Sequence, residues 1–297
     1  MPEPSPSPVV VTPGLLRERW PLPEPGSDKE SRGRTLVIGG STSTPGAVLL
    51  AAEAALRAGA GKLQVATTAS TAVALGVALP EAMVLGLPEA GDGGLDPAGA
   101  DRVGELVEQA SAVLVGPGAT GPDATRELVV ALLPRVRGAL VLDALGLVAV
   151  TADPDCLAEL SGRVVLTPNV RELALTLQRG EDEVGEDPLG AALELARRSG
   201  AVVATGGGTS YTARPDGACW QDDTGGGGLG VSGSGDVMAG IVTGLAARGA
   251  DPAQAAVWAQ HVHGRCGDRL AAAVGHLGFL ARELPPEVPR VLAELGG

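Results

Sequence analysis

Aromatic residues are nearly missing from this chain. One Tyr, one Phe and three Trp stand among 297 residues. The core cannot rest on rings and has to be built from Ala, Val and Leu. The 44% hydrophobic content permits that and excludes global disorder. Cysteine is scarce too. Cys156, Cys219 and Cys266 are scattered, odd in number and without a CxxC pair, which fits free thiols in a reducing cytoplasm rather than a disulfide framework. Positive charge is in deficit: 22 Lys and Arg against 35 Asp and Glu, a net charge of −13. Nucleic acid and anionic membranes require clustered Lys and Arg, so neither is expected as a partner. No charge-free apolar run approaches the ~18 residues of a membrane span. The longest apolar stretch, Ala139 to Val150, is short and contains Asp143. The start, Met1-Pro2-Glu3-Pro4-Ser5-Pro6, lacks the basic and apolar regions of a signal peptide.

Glycine, by contrast, is abundant at 45 residues, which implies many tight turns or close backbone approaches. Residues 1–33 are rich in Pro and charge and read as a partly ordered arm, with residues 34–297 as a single domain. Beyond the arm, short apolar runs alternate with helical patterns. Strands are expected at Thr35–Ile38, Lys62–Thr67, Ala82–Leu85, Ala112–Val115, Ala139–Leu142, Val164–Leu166 and Ala201–Ala204. Helices are expected at Ala47–Ala58, Asp123–Leu133, Pro188–Ser199, Asp236–Arg248, Pro252–Leu270 and Val288–Leu295. Tyr211–Ala213 and Ala218–Trp220, split by Pro215-Asp216-Gly217, read as a hairpin. Continuous apolar strands separated by helices indicate a parallel sheet buried on both faces.

In such a sheet, ligands bind beyond the carboxyl ends of the strands. Five expected strand ends run into Gly39-Gly40, Gly116-Pro117-Gly118, Asp143, Thr167-Pro168-Asn169 and Thr205-Gly206, a set consistent with a lined cleft. The richest segment is Gly228-Leu229-Gly230-Val231-Ser232-Gly233-Ser234-Gly235-Asp236, a glycine-rich loop entering an apolar helix. Backbone N–H groups of Gly233 to Asp236 at that helix start could surround a phosphate or a developing oxyanion. Asp236 has two readings: a first-turn residue favoured by the helix dipole, or a general base for a substrate hydroxyl. A P-loop GxxxxGK[ST] is missing, and so is a dinucleotide-binding GxGxxG after the first strand. His261 and His263 fall on one expected helix at i, i+2, spacing that turns them to different faces. They read as structural or capping residues rather than metal ligands, and no metal site is expected from side chains. Trp258 reads as core, and Cys219 and Trp220 as strand residues.

Taken together, these segments resemble the nucleotide-dependent NAD(P)H-hydrate dehydratases, a branch of the ribokinase-like superfamily. The resemblance rests on Gly39-Gly40-Ser41, Pro45-Gly46-Ala47 and Ala54-Ala55-Leu56-Arg57-Ala58-Gly59-Ala60-Gly61. It continues through Gly116-Pro117-Gly118, Val141-Leu142-Asp143-Ala144, Leu166-Thr167-Pro168 with Glu172, Gly233-Ser234-Gly235-Asp236, and His263-Gly264 with Asp268, over roughly residues 29–285. It implies a three-layer α/β/α fold with a mostly parallel central sheet. It implies a repair lyase: the ring hydroxyl of a hydrated NADH or NADPH is phosphorylated from ADP or ATP with Mg²⁺, and loss of phosphate restores the dihydronicotinamide. By resemblance Asp236 is the base and Gly233, Ser234 and Gly235 form the anion hole. Ala47, Gly118 and Asn169, with Asp236, would touch the hydrated dinucleotide. Thr205, Gly206, Gly207, Gly208 and Thr209, with Gly235, would contact the adenine nucleotide.

The resemblance also implies a homo-oligomer, by family habit a tetramer, with a separate hydrate epimerase acting upstream. ADP is the expected donor. Three segments depart from the family pattern. Asn169-Val170-Arg171-Glu172 stands where His-Pro-Gly-Glu is usual, Thr205-Gly206 where Lys-Gly is frequent, and Asp143-Ala144-Leu145-Gly146-Leu147 where Asp-Ala-Asp-Ala-Leu is usual. A small-molecule kinase on the same fold and a non-catalytic nucleotide-binding protein are the alternatives.

Overall fold

The computed structural model describes residues 7–296, so the Met1–Pro6 segment lies outside the described residues. In chain order the strands are β1 Val9–Val10, β2 Arg34–Ile38, β3 Lys62–Thr68, β4 Ala82–Leu87, β5 Ala112–Val115, β6 Ala139–Leu142, β7 Val164–Leu166, β8 Val202–Thr205, β9 Ser210–Ala213 and β10 Cys219–Asp222. The helices are α1 Pro45–Arg57, α2 Ala69–Ala78, α3 Ala100–Gln109, α4 Pro122–Leu132, α5 Val148–Ala152, α6 Val170–Leu177, α7 Glu181–Glu186, α8 Pro188–Ser199, α9 Ser234–Ala247, α10 Pro252–Ala273 and α11 Val288–Leu295. No described helix is long and apolar enough to cross a membrane.

All ten strands join one sheet in the order β1-β10-β9-β8-β7-β6-β5-β2-β3-β4. Only β9 runs against its neighbours; every other described pairing is parallel. The central strands are buried along their whole length, as a sheet covered on both faces requires. One core, on the side of α1, α9, α10 and α11, centres on Val237, Ile241, Val257 and Trp258. The other, on the side of α3, α4, α6 and α8, centres on Val103, Leu128, Leu173 and Leu193. This is the expected three-layer α/β/α arrangement.

Strand order reverses between β2 and β5. From there β3 and β4 extend one way, and β6, β7 and β8 the other. A crevice opens at such a point because neighbouring connections leave on opposite faces. The residues after β2 and β5 meet there: Gly40 N–H donates to Pro117 O at 2.7 Å, and Thr44 Oγ1 donates to Gly118 O at 2.8 Å.

Helix α9 is apolar on all sides and almost wholly buried. It lies on α1 at backbone distance. A Cβ at Gly240 would run into Ala51 O, and one at Gly244 into Ala55 O. Only glycine permits this approach.

The Pro-rich segment is docked where it is described. Val9 and Val10 pair with Trp220 and Gln221, which covers the sheet's outer edge. Leu16 is fully buried, and the Trp20 ring stacks on Trp220 with centroids 5.0 Å apart. Trp258 is core as expected, and its indole N–H donates to Trp20 O at 2.9 Å.

Candidate active site

The carboxyl ends of β6, β7 and β8 open into a cavity of about 720 Å³. Its far wall is the 224–231 loop, the first turn of α9, and Gln260 and His263 of α10. Asp143 follows β6 directly and is buried. Thr167 Oγ1, just past β7, donates to its Oδ1 at 2.7 Å. Burial first, and then the charge of Asp236, push the Asp143 carboxyl up to about 8, so it is protonated at neutral pH. The next residue, Ala144, lines the cavity with φ of +48°, a left-handed conformation that is unfavourable for a side chain with a Cβ.

Asn169 and Glu172 form a reciprocal cap at the start of α6. Glu172 N–H donates to Asn169 Oδ1 at 2.9 Å, and Asn169 N–H donates to Glu172 Oε2 at 3.0 Å. The Asn169 NH₂ is therefore the part of that side chain left for a ligand. Burial raises the Glu172 carboxyl above its ordinary value.

The glycine-rich loop turns into α9 at Gly233, whose φ of +91° only glycine adopts without strain. A Cβ at Gly233 would press on Leu50 of α1, one turn beyond Ala47. The first-turn N–H groups of α9 have no carbonyl within the helix to reach, and this end of the helix carries partial positive charge. Ser234 is an exception, since its N–H donates to Val231 O at 3.1 Å. Its hydroxyl lies 2.9 Å from His263 Nε2. Asp236 sits in the same first turn, half-buried at the cavity wall. The helix dipole alone would favour its ionised form. Burial and the nearby Glu172 charge dominate instead and raise the carboxyl to about 6.

Of the residues expected at the site, Gly206, Gly207, Gly208, Asn169, Gly233, Ser234, Gly235 and Asp236 all line this one cavity. Thr205 and Thr209 do not. Thr205 is buried in β8, its carbonyl accepting from Gln260 Nε2, and Thr209 Oγ1 donates to Asp223 Oδ1 at 2.9 Å. Ala47 and Gly118 meet each other in the crevice between β2 and β5, outside the cavity lining. The two histidines face apart. His261 Nδ1 bonds to Asp222 Oδ2 at 2.6 Å in the interior, while His263 reaches the cavity. Burial alone would raise Asp222. The bond and charge of His261, together with Thr224, outweigh it and hold the carboxyl low.

Sequence reasoning missed Glu172, Gln260 and His263 as walls of the site. An Asn-x-x-Glu spacing signals the cap that brings Glu172 there. For His263 the spacing shows only that it points away from His261; what it meets is set by the packing of α10 on α9.

Magnesium suits the donor chemistry. The hard oxygens of Asp143, Glu172 and Asp236 repel one another when ionised, and a divalent cation would relieve that. Among the described residues no group of three His, Cys, Asp or Glu is placed to hold a metal. Phosphate oxygens of a bound nucleotide would therefore complete most of the shell.

Comparison with known proteins agrees with this architecture. The NAD(P)H-hydrate dehydratase family model matches residues 35–290. An ADP-dependent (S)-NAD(P)H-hydrate dehydratase of Xanthomonas campestris is 46% identical over 286 residues, 96% of either chain. A bifunctional NAD(P)H-hydrate repair enzyme of Moorella thermoacetica is 36% identical over 96% of this chain, which spans 54% of that longer protein. The crystal structure of the Bacillus subtilis ADP/ATP-dependent dehydratase, co-crystallised with ATP/Mg²⁺, superposes with a TM-score of 0.80. It is 27% identical, and the match covers 96% of this chain and 97% of that one. The chain thus belongs to the NAD(P)H-hydrate dehydratase family and carries its ribokinase-like α/β fold.

Proposed function

We propose that the chain returns (S)-NAD(P)H hydrate to NAD(P)H in the cytoplasm, with ADP as the favoured phosphoryl donor and ATP as the alternative. One observation carries the mechanism. Asp236, its carboxyl lifted to about 6, stands in the first turn of a buried helix that ends in a cavity of about 720 Å³. A carboxylate with that value is ionised at neutral pH and is a stronger base than an ordinary aspartate.

Asp236 takes the proton of the ring hydroxyl as its oxygen attacks the terminal phosphorus. The α9 N-terminus at Gly233, Ser234 and Gly235 holds the charge on the transferred phosphoryl oxygens. Hydroxide is a poor leaving group and phosphate a good one. The ring therefore expels phosphate, and loss of a neighbouring ring proton completes the dihydronicotinamide. With ADP the products are AMP, phosphate and the restored coenzyme. Magnesium, when bound beside the Asp143, Glu172 and Asp236 carboxyls, would neutralise phosphate charge.

Gly206, Gly207 and Gly208, with Thr205 and Thr209 behind them, are assigned to the adenine nucleotide. Ala47 and Gly118 are assigned, in the crevice between β2 and β5, to the hydrated dinucleotide, with Asn169 donating its amide. Among the described residues lining the cavity there is no Lys or Arg, so phosphate charge is met by backbone N–H groups and the cation. Val73, Val77 and Met83 are exposed together on α2 and β4 at the sheet's other edge, in keeping with a homo-oligomer. A separate epimerase would supply the S form.

The test is direct. NADH hydrate, Mg²⁺ and ADP or ATP are mixed with the enzyme, and the near-ultraviolet absorbance of dihydronicotinamide is followed. Recovery is expected to require a nucleotide and to vanish in Asp236→Asn. A stable phosphoester product instead of free phosphate would replace this reading with the small-molecule kinase. Nucleotide binding with no turnover would replace it with a non-catalytic binding protein.

A further inference from the structure

Ser234 lies in the middle of the anion hole, yet its N–H is committed to Val231 O. Its contribution to a bound phosphoryl group must therefore come from the hydroxyl. That hydroxyl has one proton and is 2.9 Å from His263 Nε2. If the proton goes to the imidazole, oxygen lone pairs face the phosphoryl group and repel it. If Nε2 carries a hydrogen and donates it to Ser234 Oγ, the serine proton is free for the phosphoryl oxygen.

We infer that His263 is a positioning residue that donates from Nε2 to Ser234 Oγ and so aims the serine hydroxyl at the transferred phosphoryl group. This rests on the dehydratase reading of the site. The surroundings agree with it. His263 lines the cavity from α10, and the neighbouring Gly264 packs at backbone distance against Thr224 of the same wall, which fixes the imidazole's reach. Burial pushes the imidazole down to about 4, so it is neutral at working pH and acts by a directed hydrogen bond rather than by charge. The arrangement adds a side-chain donor to a hole otherwise made of backbone, at the point where charge develops.

The test uses the whole enzyme with NADH hydrate, ADP and Mg²⁺. Ser234→Ala is expected to lower kcat roughly 100-fold, the usual size for one lost oxyanion donor. His263→Ala is expected to fall by a similar factor, with KM for the hydrate nearly unchanged, and the double variant is expected to be no worse than either single one. His263→Gln, whose amide N–H reaches the Nε2 position, should recover most of the rate. His263→Asn, whose amide reaches only the Nδ1 position, should not. Nitrogen NMR of His263 with ADP bound should show a protonated Nε2. A His263→Ala enzyme with the wild-type kcat, additive losses in the double variant, or an unprotonated Nε2 would each overturn the inference. If the unaltered protein fails to restore absorbance under the same conditions, the dehydratase reading falls instead, so the two failures are separable.

Discussion

Two buried aspartates close two strands of the same sheet and meet opposite fates. Asp222 ends β10 beside His261, and its carboxyl is held below its ordinary value. Asp143 follows β6, has only the Thr167 hydroxyl as a side-chain hydrogen-bond partner among the described residues, faces the charges of Asp236 and Glu172, and is pushed up to about 8. Both are nearly inaccessible to water, so burial does not separate them. The sign of the neighbouring charge does. The outer region around β10 is internally neutralised and serves to hold the sheet edge. The region beyond β6 and β7 has no such partner among the described residues, and its carboxyls are all raised, the pattern expected where groups are held for use rather than for structure.

Substitutions on the two sides should therefore separate turnover from stability. The largest effect expected is on the reactive side. Asp236→Asn should lower kcat by about a thousandfold, the middle of the range for a lost general base, while thermal unfolding moves by only a few degrees. On the neutralised side, Asp222→Ala removes the partner of His261 and of Thr224. It should cost about 3 kcal/mol in urea unfolding and change kcat per folded molecule far less.

Asp143→Asn tests the asymmetry itself. The folded carboxyl sits near 8 against an ordinary 3.8. Its contribution to stability is therefore complete below about pH 4 and is lost as pH rises towards 8. The variant should flatten that fall by about 6 kcal/mol in unfolding series across the same range, leaving the smaller decline of about 3 kcal/mol due to Asp236 below pH 6. An unchanged slope would mean that Asp143 ionises normally and the contrast with Asp222 is lost. The smallest effect expected is at the covered edge. Trp20→Ala removes one ring of the Trp20–Trp220 stack and should cost about 1 kcal/mol in thermal or urea unfolding with unaltered turnover.

Much of the fold could be read from local pattern because the strands are short, apolar and punctuated. Ala112–Val115, Ala139–Leu142 and Val164–Leu166 stand where their apolar runs begin and end. Helix α3 escaped notice because only Ala100, Val103, Gly104 and Val107 turn inward from a largely charged segment. Helix α6 is short, and its start is marked only by the Asn169-x-x-Glu172 cap, at a residue that the family pattern assigns to the dinucleotide. At the site, the residues legible in sequence are those on the glycine-rich loops, where composition itself is the signal. His263 was not, since its meeting with Ser234 spans 29 residues and depends on how two helices lie together. Ala47 and Gly118 came from the family pattern, and no local rule would have set them side by side.

The glycine contacts between α9 and α1 have a further consequence. With Gly240 and Gly244 seated on the Ala51 and Ala55 carbonyls, α9 is like a shaft seized in its bearing: it can neither slide nor roll without a backbone collision. The end of the helix that carries Asp236 is thus held in place by packing. The glycine-rich segments 206–208 and 225–230, which line the same cavity, are free of that constraint. The position of Asp236 is thus settled by folding, before any ligand arrives.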